Sequence, residues 1–193
     1  MIDNLELIKP FLEFKSEDEF YFLSVLQRKK ENPQLRHYNR AIRHYYINSF
    51  EYLEERYDEI KSLCGFYNAR ACINLEVKSY RQIGMLAIKL AADLAYQEQY
   101  GAIKAVYDSA CGQAHSRMKR WILDVDDVKD DVKVNEIQSF IKELQPSGEK
   151  VIMKLPSKSG VHIIASPFDP RTFYMEFPDV EIKKKSPTNL FIP

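Results

Sequence analysis

A chain of 193 residues with 45% hydrophobic side chains carries enough apolar material for one real core, so a single folded domain over 1–193 is expected and disorder is not. Its 28 basic and 28 acidic residues cancel to a formal net charge of +0, which excludes a protein that coats nucleic acid by bulk charge and leaves only a local basic groove open. Three cysteines, Cys64, Cys72 and Cys111, match neither a zinc spacing nor a C-x-x-C pair and read as reduced thiols of an intracellular protein.

The N-terminal "MIDNLELIKPFLEF" is acidic before it is apolar and is interrupted by Pro10, unlike a signal peptide. No apolar run approaches the ~20 residues that span a bilayer, so a cytoplasmic protein with no membrane partner is expected. Ser16 and Glu19 have the spacing of a capping box ahead of "FYFLSVLQRKK". That predicts a helix stopped near residues 31–33, and makes 1–33 a candidate peripheral N-terminal helical segment. "QLRHYNRAIRHYYI" is ambiguous. A helix is predicted over 48–64, with Leu53, Tyr57, Ile60 and Cys64 on one face and Gly65 at its C-terminal cap.

"ARACINLEVK" alternates cleanly, which predicts a half-buried strand. Ala69, Ala71, Ile73, Leu75 and Val77 would face inward, and Arg70, Cys72, Asn74, Glu76 and Lys78 would form a polar working face. Ser79 and Gln82 open a long apolar segment to Ala110, read as the central packed helix, with Gly101 as a break or bend and Gly112 as its end. After the basic connector "HSRMKR" come the strand "WILDVDD" and an amphipathic helix over 132–144 with Ile137, Phe140, Ile141 and Leu144 inward. "KVIMKLPSKSGVHIIAS" reads as a hairpin, and the tail supplies one or two further strands. Helices and strands mix without β-α alternation, so the class is α+β, with a mixed or antiparallel sheet and packed helices.

Two stretches carry chemistry. On the strand "WILDVDD", Asp124 and Asp126 share a face with Ile122, roughly 7 Å apart, while Leu123 and Val125 face the other way. Paired carboxylates so placed suit one or two hard divalent ions, Mg2+ or Mn2+, of the kind phosphoryl transfer uses. The plainer alternative is a solvated strand end with Asp126 and Asp127 opening a turn. Asp124, however, lies inside the apolar run, where like charges would repel unless a cation were present. In "SKSGVHII", His162 and Ile164 project opposite to Val161 and Ile163. The preceding Ser157, Lys158, Ser159 and Gly160 offer hydroxyls, a cation and a backbone that an anion can approach closely. A structural, hydrogen-bonding role for His162 is the alternative.

"ILDVDD" followed by a histidine in "SKSGVHII" resembles the catalytic pair of the archaeo-eukaryotic primase superfamily, which includes small plasmid- and phage-type primase-polymerases. The region 119–182 carries the likeness. The resemblance implies an RRM-like catalytic sheet, divalent metal, and template-directed addition of nucleotides to a nucleic-acid strand. It makes Asp124 and Asp126 metal-binding carboxylates and His162 the catalytic and nucleotide-binding histidine, with Lys158 and Ser159 beside it on the triphosphate. Ser159 stands three residues before His162, where the family motif has two. A third acid is implied on a later strand, with Asp179 the first candidate and Asp169 and Glu181 behind it. The implied partners are a template, nucleoside triphosphates and a helicase or other replication protein. Arg117, Lys119, Arg120, Lys154, Arg70 and Lys78 are candidate backbone contacts, although ordinary solvated surface is the simpler reading of each. "KKK" at 183–185 reads better as a charged strand edge, and the tyrosines of "RHYYINSFEYLEERY" as core packing. Two rival functions use the same residues: a metal-dependent nuclease or phosphoesterase, and a non-catalytic module that binds nucleic acid or protein.

Overall fold

The computed structural model describes residues 1–36, 38–116, 118–126 and 132–193, so Arg117 and Asp127 lie outside the described residues. Two antiparallel sheets organise the chain, in keeping with the α+β expectation. The first is built from β1 (Ile2–Asp3), β2 (Glu19–Gln27), β3 (Arg40–Ile47), β4 (Arg70–Ile73), β5 (Lys78–Ser79) and β10 (Thr188–Ile192). Its order is β1-β10-β4-β2-β3, with β5 pairing β2. The second is built from β6 (Trp121–Asp126), β7 (Val151–Pro156), β8 (Gly160–Ala165) and β9 (Glu181–Lys183), in the order β7-β8-β6-β9. No helix among the described residues is long and apolar enough to cross a membrane.

The N-terminal region departs most from its reading. "FYFLSVLQ" is a strand, not a helix, and β2 sits in the middle of the first sheet, paired on either side. Nearly every residue of it is buried on both faces. A continuous apolar run has no period to tell strand from helix, and Phe, Tyr and Val favour the strand. Ser16 caps nothing: its carbonyl accepts from the Glu19 amide at 3.1 Å in a turn. Residues 1–33 are therefore not a peripheral helical segment; besides β1 and β2, they hold the four-residue helix α1 (Leu5–Ile8) and a 3-10 turn over Lys9–Phe11.

Helix α2 (Phe50–Tyr67) starts as expected, with Ser49 Oγ accepting from the Tyr52 amide at 3.1 Å. It runs past Gly65 to Asn68, which takes the left-handed conformation (φ 47°) tolerated by asparagine. Leu53, Tyr57, Ile60 and Cys64 pack on the first sheet, and Tyr45 and Tyr57 are core residues. The strand after α2 is shorter than its alternation suggests. Its apolar side behaves as read, but Arg70, Asn74, Glu76 and Lys78 are buried too. Arg70 pairs with Glu31, and Lys78 donates to the Ala114 carbonyl at 3.0 Å. That face is covered rather than presented, so Arg70 and Lys78 are not free to grip a template.

The long apolar segment is not one central helix. It divides into α3 (Tyr80–Tyr96), a 3-10 turn over Tyr100–Ala105 and α4 (Val106–Gln113), with the break at Gln97–Gln99 and Glu98 at φ 59°. Both helices lie on the outside of the first sheet, over Phe20, Phe22 and Tyr46.

The second half matches its reading closely. Helix α5 (Val132–Glu143) buries Val134, Ile137 and Ile141, with Phe140 and Leu144 packed alongside. β7 and β8 form the hairpin, and β9 and β10 are the two tail strands. A short helix, α6 (Pro170–Glu176), capped by Asp169, adds to the elements expected from the sequence. α5 and α6 cover one face of the second sheet through Trp121, Leu123, Val125 and Ile163. The other face, through Ile122, Met153, Leu155 and Ile164, joins the core built on the first sheet.

The hairpin loop sits against β6. A Cβ added to Gly160 would lie 2.0 Å from the Val125 carbonyl oxygen, a backbone atom that cannot move aside cheaply. Gly160 is thus required by close strand approach, not by an anion. Gly160→Ala should destabilise the fold by about 1–3 kcal/mol, read as a lower urea midpoint. Gly148→Ala, with open space around it but φ 115°, should cost less.

Candidate functional site

The centre of the second sheet aligns the two stretches. β6 and β8 pair with Asp124 opposite His162 and Asp126 opposite Gly160, and residues directly opposed across antiparallel strands share a face. β9 pairs on the other side of β6 with Glu181 opposite Asp124. One row across the sheet therefore reads Glu181, Asp124, His162. It lies on the face turned toward the first sheet, next to the apolar Ile122 and Ile164.

His162 Nε2 stands 3.2 Å from Asp124 Oδ1, and its Nδ1 stands 2.9 Å from Thr188 Oγ1. A carboxylate only accepts, so Nε2 carries the proton; in the neutral ring Nδ1 then accepts from the threonine hydroxyl. Thr188 opens β10 of the first sheet, so this chain of hydrogen bonds crosses between the sheets. The ring is 7% exposed and has both nitrogens engaged. In this arrangement it orients Asp124 instead of reaching out to a triphosphate.

The second oxygen of Asp124 takes the Lys183 ammonium, which also lies 3.4 Å from Glu181 Oε2. The hydrogen bond from His162, joined by that from Lys183, holds the Asp124 carboxyl well below the usual carboxylate range despite its burial. Burial alone would lower Lys183; its contacts with Asp124 and Glu181 outweigh that and raise it.

Asp126 is exposed and accepts from Ser159 Oγ. Lys158 donates to Glu31 Oε1 at 2.8 Å. Glu31 also receives Arg70, whose Nε lies 2.9 Å from Oε2. Burial would raise Glu31, but Arg70 and Lys158 bring it down to about 2. The hydroxyl of Ser157 is buried and has no hydrogen-bond partner among the described residues.

Asp179 is not part of this group. It precedes β9 and pairs with Lys133 of α5, the helix covering the opposite face. Asp169 caps α6, accepting from the Arg171 amide at 3.1 Å. The acid beside Asp124 is Glu181, which shares parity with Lys183 on either side of the buried Ile182. Pro178 and Asp179 favour a turn, but where the three-residue β9 begins is set by its pairing with β6. Nothing local marked Thr188 or Glu31.

Among the described residues no three His, Cys, Asp or Glu side chains are grouped to hold a metal. The donor types nevertheless suit a hard divalent cation: Asp124, Asp126 and Glu181 rise from one face, and an ammonium already lies between two of these carboxylates. The cysteines offer no rival chemistry, since burial pushes Cys64 and Cys111 up to about 12 and Cys72 to about 11. Comparison of the chain with family models, curated proteins and solved structures finds no match.

The Glu31 cluster has a defined pH signature. Its folded value lies below the ordinary 4.5, so its stabilisation is complete above 4.5 and is lost as pH falls toward about 2. Glu31→Gln should lower the urea midpoint at neutral pH. The gap from wild type should narrow below 4.5 and close near 2.

Proposed function

We propose that the protein is a metal-dependent nucleotidyltransferase of primase–polymerase type, acting on nucleoside triphosphates along a nucleic-acid template. One observation carries this reading: Asp124 and His162 stand in register on the two central strands of a β6-α5-β7-β8-α6-β9 unit, on the face opposite its helices. That succession, with first and third strands central, supports the RRM-like reading that the sequence resemblance implies.

On this reading Asp124 and Asp126, with Glu181 in place of Asp179, hold Mg2+ or Mn2+. The ion neutralises charge on the reacting phosphate oxygens when bound. His162, fixed by Thr188, is a positioning residue that keeps Asp124 ionised and aimed. Lys158 and Ser159 form the rim that meets the triphosphate, with Lys158 passing from the Glu31 carboxylate to phosphate. Lys183 holds the carboxylates together in the metal-free state and yields to the divalent ion.

A second reading, a non-catalytic nucleic-acid-binding module, is favoured by the same lysine, because both Asp124 oxygens are already engaged. Primer synthesis and extension with manganese separates these. The wild type should lengthen strands, and Asp124→Ala with Asp126→Ala should reduce that by at least ~100-fold. Unchanged extension in the double variant sinks the site, and shortened strands indicate a nuclease. Calorimetry with manganese gives an independent measure. Lys183→Met should bind the ion about tenfold more tightly than wild type, since a competing cation is gone; no binding to either supports the non-catalytic module.

A further inference from the structure

Helix α3 is apolar on two sides, and the fold uses only one. Its inner side packs through Ile83, Leu86, Ala87 and Leu90 against the first sheet. On its outer side Met85 and Ile88 are each 69% exposed and Tyr96 is 92% exposed. With the exposed Ala92 these recur at spacings of three, four and four, which places them in one stripe along the helix. Scattered exposed apolar residues are ordinary, whereas a continuous stripe on a 17-residue helix marks an interaction surface.

The charges beside the stripe indicate what covers it. Lys89 and Asp93 are exposed on the same flank, one turn apart, and form no ion pair among the described residues. The opposite flank carries Gly84, Ala91 and Ala95, small enough for two helices to approach closely. Parallel pairing about a twofold axis along the helices would lay the Lys89–Asp93 flank of each copy against the Gly84, Ala91 and Ala95 flank of the other, leaving both charges without a complement. Antiparallel pairing about a twofold axis at Ala91 sets each Lys89 level with Asp93 of the other copy, two complementary pairs from one sequence. In that register Ile88 falls between Ala92 and Tyr96 of the second copy. The opposed helix dipoles are then also favourably arranged. A formal net charge of +0 leaves no long-range self-repulsion to oppose the approach.

We infer that the occupant of this face is a second copy of the chain, and that α3 pairs with its symmetry mate in an antiparallel two-helix contact. The cluster beneath α3 contains no residue of the four-stranded sheet, so the pairing leaves the Asp124 face untouched. The inference therefore stands apart from the proposed nucleotidyl transfer.

Sedimentation equilibrium on the whole chain tests it. The expected result is a monomer–dimer equilibrium with a dissociation constant on the order of 10 µM, suited to a small interface. Ile88→Glu should abolish the dimer while leaving the circular dichroism spectrum and melting temperature of the monomer unchanged, because the side chain is exposed. Lys89→Asp should weaken association about tenfold, and the exchange Lys89→Asp with Asp93→Lys should restore it. That rescue is specific to antiparallel self-pairing. A wild type that stays monomeric to ~200 µM, a dimer that survives Ile88→Glu, or a charge exchange that fails to rescue would each overturn the inference. The first of these outcomes would leave the face to an unlike partner.

Discussion

A carboxylate placed inside an apolar strand needs a counter-charge, and the arrangement of the second sheet answers that need at Asp124. An unpaired buried charge would cost several kcal/mol. His162 arrives from β8 and Lys183 from β9, so Asp124 is held from both neighbouring strands. The strand order of the sheet is therefore also an electrostatic arrangement. Only with β6 between β8 and β9 do an imidazole and an ammonium meet the same carboxylate. A one-residue slip in either ladder would turn one of these partners to the helix side.

The same cluster joins the two sheets. Thr188 reaches His162 from β10, Asn4 donates to the Pro156 and Asn189 carbonyls at 3.0 and 2.9 Å, and Glu31 receives both Arg70 and Lys158. These are polar ties at the rim of a shared apolar core, where they fix orientation more than they add stability. They also explain why the polar residues of the strand after α2 are not a working surface. Arg70 is neutralised by Glu31, and Lys78 is satisfied by a backbone carbonyl, so each is structural.

Legibility from the sequence followed the local signal. Alternation across 121–126 and 160–165 identified the faces of Asp124, Asp126 and His162, because the side-chain period of a strand is two whatever lies beside it. The hairpin and α5 were visible for similar reasons: turn chemistry in one, a helical stripe in the other. β2 is not legible in this way, because a strand buried on both faces has no alternation. α3 was misplaced because an apolar helix does not say which of its sides the fold will cover. Glu181 is not distinguished from Asp179 by the sequence, because the start of a three-residue edge strand is set by pairing with β6, which lies some sixty residues away in the chain.

By itself, then, the sequence determined the α+β class, most of the elements after residue 47 and the faces on which the acids and the histidine project, all consequences of short-range periodicity. Tertiary structure alone decided that Asp124 meets His162 and Lys183, that Glu181 and not Asp179 stands beside it, and that Thr188 closes the chain of hydrogen bonds. Those contacts join residues from 26 to 59 positions apart. Ladder register and the packing of one sheet on another bring them together, and no local pattern in a single chain encodes either.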